Sequence, residues 1–258
     1  MVASSYPGRE TDMIKSVHIP VFCDSKEARG GALLTLKTIR VGFPTVPITV
    51  HWMGDDVEVL EELKNQDVAA LKFWSGLKRN DQLIKLLVGT EKNGFAVVDS
   101  DVVFFKNCEN FQTNELIAGE FIPTFHCPIA NAMTHSRLHT AFFVVPDPAK
   151  LREVISKVYH PAFPKFCPFD PFSPVTLFLD RKPLFYDSCS VLYHAVGGES
   201  FNEDMLNRFE HVYSGSYAHK LPWPHAKFIN EVYTDPCKAR GFRMVMDNFF
   251  TERKAAIS

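Results

Sequence analysis

The fold is decided by one stretch near the middle of the chain, Gly94-Phe95-Ala96-Val97-Val98-Asp99-Ser100-Asp101-Val102-Val103-Phe104-Phe105. Its first apolar run ends at Val98 and is rich in β-branched and aromatic residues, which predicts a fully buried strand. Asp99 and Asp101 follow that strand directly. Because burying an unpaired carboxylate costs several kcal/mol, the two acids need a cation, basic side chains or water beside them. A bound divalent cation or a solvated turn would meet that need.

Predicted strands and helices alternate on both sides of this stretch. The strands are expected over 17–23, 47–52, 116–125 and 141–145, and the helices over 32–40, 57–63, 82–87 and 150–159. This alternation is typical of a parallel sheet flanked by helices. In such sheets, ligands bind beyond the carboxyl ends of the strands. Because Asp24 and Asp99 both follow predicted strands, we expect them to meet at one crevice.

Length and composition indicate a single soluble α/β domain. The 258 residues, 46% of them hydrophobic, can bury a sizeable core. A net charge of −2 argues against nucleic acid as a partner. The sequence shows no signal peptide, no apolar run near the ~18 residues of a membrane span, and no Cys-x-x-Cys pair among its cysteines. We therefore expect a cytoplasmic protein without a transmembrane segment, while peripheral membrane contact stays open.

The Asp-Ser-Asp motif fits two kinds of enzyme. In a nucleotide-sugar transferase, two such acids hold Mn²⁺ or Mg²⁺, which stabilises the leaving diphosphate as a Lewis acid. In a phosphatase of the haloacid-dehalogenase type, Asp99 would be the nucleophile and Asp101 the acid/base, and Val103 fits the end of that motif. Chain order argues against the phosphatase, because about a hundred residues of α/β sequence precede a strand that should come near the N-terminus. A non-catalytic module that binds nucleotide-sugars is a further alternative.

Spaced motifs over residues 16–223 resemble the GT-A-fold glycosyltransferases, in particular the retaining families 8 and 34. The matching segments are Phe22-Cys23-Asp24, Lys85-Leu86-Leu87, Asp99-Ser100-Asp101, Glu203-Asp204-Met205-Leu206-Asn207, His211-Val212-Tyr213-Ser214-Gly215 and Lys220-Leu221-Pro222-Trp223. The resemblance implies a GT-A-like (Rossmann-like) α/β fold, a mostly parallel mixed sheet flanked by helices. It also implies a hexosyl or pentosyl transferase with a nucleotide-diphosphate sugar donor, which we expect to be a UDP-sugar used with retention.

The same resemblance implies site residues. Those for the donor are Phe22, Cys23, Asp24, Lys85, Ser100, Gly215 and Lys220. Those for Mn²⁺ or Mg²⁺ are Asp99, Asp101 and His211. Glu203 and Asp204 are implied as the catalytic acids that face the transferred sugar.

Departures from the family pattern leave two of these assignments open. One extra residue separates His211 from Gly215, and Leu221 interrupts the Lys-Pro-Trp sequence, so His219 is a second candidate for the third metal ligand. The acidic segment has Glu-Asp where the family often has Asp-Gln, so either carboxylate can be the one that meets the sugar.

We expect one glycosyltransferase domain over residues 1–258. Residues 16–120 would bind the nucleotide-sugar and the metal, 121–230 would bind a glycan or other hydroxyl acceptor, and 231–258 would form a C-terminal tail. Several polar residues of 126–140 are candidates for the acceptor side, namely His126, Asn131, His135, Arg137 and His139. The proline- and phenylalanine-rich segment 159–174 either joins them as a wall or lid over the pocket, or is a stiff loop that packs on the core.

Overall fold

A mixed β-sheet forms the centre of the structure. The structure is a computed structural model, and it describes residues 14–21, 26–53, 60–61, 63, 67–73, 80–122, 125–127, 132–134, 137–157, 198–212, 231–232 and 234–240. The strands are β1 (Ser16–Val21), β2 (Ile48–Trp52), β3 (Ala70–Phe73), β4 (Phe95–Val98), β5 (Val102–Phe104), β6 (Ala118–Ile122), β7 (Phe125–Cys127), β8 (Ala132–Thr134), β9 (Arg137–Val145), β10 (Glu199–Ser200) and β11 (Phe209–His211). The α-helices are α1 (Lys26–Gly42), α2 (Asn80–Thr90), α3 (Pro148–Lys157) and α4 (Glu203–Leu206), and a 3₁₀ helix covers Pro236–Ala239.

Within the described residues, seven strands form one sheet in the order β10-β6-β9-β4-β1-β2-β3. Strands β1 to β4 run parallel, and β9 runs antiparallel between β4 and β6. The described side chains of β1 after Ser16 and all those of β4 are buried, as expected for parallel strands that are covered on both faces. The predicted mostly parallel, helix-flanked mixed sheet is confirmed.

A ribbon of β5 and β11 lies beside the sheet and is held by helix α1. On one edge of β5, the backbone N–H groups of Val102 and Phe104 donate to the hydroxyls of Thr35 and Thr38, at 2.9 and 3.1 Å. On its other edge, β5 pairs antiparallel with β11. The helix ends at Gly42, as predicted, where a Cβ atom would lie only 2.5 Å from the Phe104 ring. A glycine there lets α1 pack closely against the ribbon.

An aromatic cluster joins this ribbon to the main sheet. Its members are buried phenylalanines from the loop after α1, both strands of the ribbon, β9 and the segment before α4: Phe43, Phe104, Phe142, Phe201 and Phe209. The rings of Phe142 and Phe209 meet edge to face with centroids 5.0 Å apart, and those of Phe43 and Phe142 do so at 5.7 Å. Because both strands of the ribbon contribute a ring, the cluster fixes β5 and β11 beside the end of β4.

Six of the described strands were not predicted from the sequence, namely β3, β5, β7, β8, β10 and β11. Each has only two to four residues, and such short strands depend mainly on packing and on pairing with a neighbouring strand. The segment 159–174 lies outside the described residues, and the predicted helix over 57–63 is described only at residues 60, 61 and 63, which are helical. In the part of the chain that the structure describes, no helix is long and apolar enough to span a bilayer.

Candidate functional site

The Asp-Ser-Asp motif lies in the connection between β4 and β5. The parallel neighbour strands β1 and β4 end at the same edge of the sheet, and Asp99 is the first residue after β4. Its backbone N–H donates to the Ala141 carbonyl of β9 at 2.8 Å. After a turn at Ser100 and Asp101, the Asp101 carbonyl accepts the Val212 N–H at 2.9 Å. Backbone bonds to β9 and to the end of β11 therefore fix both ends of the motif.

His211 is brought to the motif by the strand that pairs with β5. It is the last residue of β11 and lies opposite Val102 in the antiparallel register. Its Nε2 atom is 3.0 Å from Oδ1 of Asp101. One ligand atom each of Asp99, Asp101 and His211 lies within 4.8 Å of the others. Asp101 and His211 are buried, whereas Asp99 is half-buried.

Electrostatics at this cluster favour a positive charge. Burial by itself lowers the pKa of the His211 imidazole, but the nearby carboxylates of Asp101, Asp99 and Glu120 outweigh that effect and raise the pKa. Carboxylate oxygens and an imidazole nitrogen are ligands that Mn²⁺ and similar ions accept. Divalent ions lie about 2.0–2.6 Å from their oxygen ligands, so ligand atoms that are within 4.8 Å of one another can share one ion. The three side chains therefore fit a divalent metal.

Two further polar side chains, His139, which is buried, and Glu120, which is half-buried, lie close to His211. The ring of His139, which the sequence analysis placed on the acceptor side, stands with its centroid 4.9 Å from that of His211. Glu120 of β6 lies 3.7 Å from His139 and was missed in the sequence. The available signal was a single acidic residue within the otherwise apolar run Ile117-Ala118-Gly119-Glu120-Phe121-Ile122.

The structure describes only some of the predicted donor-binding positions. Ser100 is half-buried in the turn between the two acids, and Lys85 lies on α2, although its side chain is outside the description. The other predicted donor positions and the alternative ligand lie outside the described residues: Phe22, Cys23, Asp24, Gly215, His219 and Lys220. The crevice predicted for Asp24 and Asp99 is consistent with β1, which ends shortly before Asp24 and is parallel to β4.

The structure does not bring Glu203 and Asp204 into the cluster of Asp99, Asp101 and His211. Both begin the short helix α4, which is capped by Asn202. Asp204 forms an ion pair with Arg208, and 66% of its side chain is exposed. In the register of the ribbon, Phe209 lies opposite Phe104 and His211 opposite Val102, so α4 precedes the end of β11 that is away from the metal motif. The role of these two acids stays a prediction.

The acceptor side is described only in part. His126 lies in β7 and Arg137 begins β9, with side chains that are not described. Asn131 and His135 lie outside the described residues.

Comparison with solved structures identifies the fold. The galactosyltransferase LgtC, solved in complex with donor and acceptor sugar analogues, matches with a TM-score of 0.50 and 12% identity, over 85% of this chain and 95% of LgtC. The fold is that of the GT-A glycosyltransferases. The glycosyltransferase GlyE of Streptococcus pneumoniae TIGR4 matches with a TM-score of 0.46 and 9% identity, over 86% of this chain and 51% of GlyE. The mannosyltransferase PcManGT of Pyrobaculum calidifontis, in complex with GDP-Man and Mn²⁺, matches with a TM-score of 0.40 and 8% identity, over 73% of this chain and 54% of PcManGT. No family model and no curated protein sequence matches the chain.

Within this GT-A fold, the arrangement of the cluster suits the binding of a charged ligand. Asp101 and His211 are buried, whereas Asp99 is partly open to solvent. An ion held by all three side chains could therefore meet a ligand on the side of Asp99. Ligands of open α/β sheets bind at the carboxyl edge, where this cluster lies.

Proposed function

We propose that the protein is a metal-dependent glycosyltransferase, which moves a sugar from a nucleotide-diphosphate donor to a glycan or other hydroxyl acceptor. The observation that carries this proposal is the cluster of Asp99, Asp101 and His211 at the carboxyl edge of a GT-A sheet. A UDP-sugar as the donor and retention of configuration rest on the resemblance of the sequence motifs. The similarity to LgtC, which was solved with both donor and acceptor sugar analogues, supports a site for two sugar substrates.

The cluster would hold Mn²⁺ or Mg²⁺ through two carboxylates and one imidazole. A bound ion supplies Lewis-acid stabilisation of the negative charge that builds on the leaving diphosphate. Asp101 and His211 are already in contact and buried, so little rearrangement of these side chains is needed. Such preorganisation lowers the cost of stabilising the transition state.

The remaining roles follow from the motif resemblance. Lys85 and Lys220 would neutralise donor phosphate, and Ser100 lies between the two acidic ligands. Glu203 or Asp204 would face the transferred sugar. A phosphatase is not favoured, because its acid/base would be Asp101, and that carboxylate lies 3.0 Å from the buried imidazole of His211.

The decisive experiment is an assay of nucleotide-sugar hydrolysis and transfer. A panel of UDP- and GDP-sugars would be tested with Mn²⁺ and with a chelator, using the wild type and Asp101→Asn. We expect a loss of at least ~100-fold in the variant, because one group that stabilises the leaving charge is disabled. The matched control is Asp67→Asn, since that exposed acid precedes β3, at the opposite end of the parallel strands.

Two outcomes would count against the proposal. Full activity of Asp101→Asn, or of the wild type in chelator, would exclude a metal-dependent transferase that uses this cluster. Binding of a nucleotide-sugar without hydrolysis or transfer to any acceptor would instead indicate a binding module.

A further inference from the structure

The antiparallel pairing of β6 and β9 is interrupted at the edge of the metal cluster. Gly119 lies opposite Phe143, but Phe121 lies opposite Leu138, so β9 has extra residues across from Glu120. Such bulges re-aim side chains and are frequent beside active sites. A Cβ atom at position 119 would lie 3.1 Å from Cβ of Phe143, so glycine allows the close approach where the register changes.

The bulge brings the side chains of Glu120 and His139 together. Oε2 of Glu120 lies 3.7 Å from Nδ1 of His139, which is an ion-pair distance when the imidazole is protonated. Only 14% of the Glu120 side chain and 8% of the His139 side chain are exposed. A carboxylate that is largely removed from water is costly without favourable partners, and the bulge gives Glu120 such a partner beside the cluster of Asp99, Asp101 and His211.

His139 in turn packs against the imidazole of His211. Their ring centroids are 4.9 Å apart, with planes tilted by 56°. His211 meets Asp101 at its Nε2 atom and the His139 ring at 4.9 Å.

We propose that Glu120 and His139 are positioning residues, which hold the His211 imidazole in the orientation that binds the metal. This inference rests on the proposed function, since it assumes that His211 is a metal ligand. Histidine ligands are usually oriented by hydrogen-bonded neighbours, whose loss typically weakens metal binding about 10- to 100-fold. Here the orienting contact is the packing of the His139 ring on His211, and Glu120 in turn holds His139. The pair therefore sets the affinity of the centre without contacting the ion.

The test is Mn²⁺ binding to the full chain without donor, measured by calorimetry and by electron paramagnetic resonance. We expect Glu120→Gln and His139→Phe each to weaken binding about 10- to 100-fold, and the double variant to be little weaker than either single one. Glu199→Gln is the matched control, because Glu199 lies on the adjacent strand β10 and accepts a hydrogen bond from Thr113 instead. The Mn²⁺ affinity of Glu199→Gln should equal that of the wild type.

Two readouts separate positioning from other roles. The nitrogen signal of metal-bound imidazole in pulsed resonance spectra should fall in Glu120→Gln and stay in Glu199→Gln. In a His211→Ala background, Glu120→Gln should change the affinity less than twofold. If Glu120→Gln instead weakens Mn²⁺ binding as much in the His211→Ala background as in the wild type, Glu120 acts on the ion directly and the proposal is overturned.

The failure of this inference can be told from the failure of the proposed function. If the wild type binds Mn²⁺ through Asp101 and His211 but Glu120→Gln binds it equally well, only the positioning role is wrong. If the wild type binds no Mn²⁺, both proposals are wrong. Should His139→Phe fail to fold, the isosteric Glu120→Gln and His139→Asn carry the same test.

Discussion

The hydroxyl of Thr35 on helix α1 accepts a hydrogen bond from the backbone N–H of Val102, at 2.9 Å. Val102 directly follows Asp101, so this side chain fixes the position of the second acid of the motif. Thr38, one turn along the helix, does the same for Phe104. Helix α1 thus supports the Asp-Ser-Asp motif through polar side chains in a buried interface.

Replacement of Thr35 by valine should destabilise the fold and weaken the metal site. The variant keeps the shape but leaves the buried N–H of Val102 without its acceptor, at a cost of about 1–3 kcal/mol. Urea unfolding would measure the stability, and Mn²⁺ titration would measure the site. Thr35→Ser keeps the hydroxyl and should retain most of the stability and of the Mn²⁺ affinity. Equal losses of stability and affinity in the valine and serine variants would contradict this explanation.

Phe209→Ala should loosen the ribbon that carries His211. The ring is buried and contacts Phe104, Phe142 and Phe201, so its removal leaves a cavity that costs about 3–5 kcal/mol. Because His211 is two residues further along β11, we also expect weaker Mn²⁺ binding. Urea unfolding with and without Mn²⁺ measures both effects. The control Phe209→Leu refills part of the cavity and should lose less.

His211→Ala should destabilise the protein even in the presence of a chelator. Asp101 would remain buried without the imidazole that lies 3.0 Å away, and breaking a buried ion pair costs about 3 kcal/mol or more. The exposed pair of Arg40 and Asp67 provides the comparison, since Asp67→Ala should cost less than about 1 kcal/mol. Chemical denaturation of both variants measures these costs, and similar values for the two would argue against a charged pair at the site.

A second histidine pair predicts how stability depends on pH. His18 and His51, on β1 and β2, are buried and share a hydrogen bond of 2.9 Å. Burial, with help from the charge of the partner His51 and of Lys72, lowers the pKa of His18 to about 3. Burial and the charge of Lys72 lower the pKa of His51 to about 4.

The contribution of this pair to the free energy of unfolding should therefore fall as the pH drops below the ordinary histidine value of 6.5. In that range the unfolded chain binds protons that the folded pair excludes. Each of the two histidines therefore lowers the free energy of unfolding by about 1.4 kcal/mol per pH unit, until the pH reaches its pKa in the folded state. His51→Gln removes one of the two sites, so its free energy of unfolding should fall less steeply between pH 6.5 and 5. Identical slopes for wild type and variant in denaturant titrations would show that the pair does not titrate as stated.

The sequence predicted those parts of the fold that depend on local pattern. The buried run Phe95–Val98 predicted β4, and the alternation of strands and helices predicted a parallel sheet, because both signals lie within single elements. The motif resemblance also named His211, which the structure brings to Asp99 and Asp101. Local pattern was sufficient for the sheet, whereas His211 was named through the resemblance to the family.

The contacts around that cluster could not be predicted in the same way. Glu120 and His139 meet because the register of β6 against β9 changes at Gly119, and register depends on packing across the whole sheet. Strand β11 has three residues, one of them the charged Glu210, and it forms because β5 offers an edge for pairing. The support from Thr35 likewise depends on where α1 crosses β5. Such features come from long-range packing, which no local pattern encodes.

Glu203 and Asp204, the two predicted catalytic acids, differ in their contacts in the structure. The carboxylate of Asp204 already has a structural partner, because it forms an ion pair with Arg208. The guanidinium of Arg208 is itself fixed, since it also donates to the Asn107 carbonyl. Glu203 shares the first turn of α4, where the helix dipole favours an acid in any case. We therefore expect Asp204→Asn to lower donor hydrolysis less than about tenfold and to cost less than about 1 kcal/mol.

If either acid faces the transferred sugar, Glu203→Gln should be the more harmful substitution. Rates of donor hydrolysis and transfer for the two variants, with stability measured in parallel, decide this. A loss of about 100-fold or more in Asp204→Asn with unchanged stability would show that Asp204 leaves Arg208 to act on the sugar. Wild-type rates in both variants would remove this segment from the catalytic machinery and leave the metal cluster as the part of the sequence motifs that acts in the chemistry.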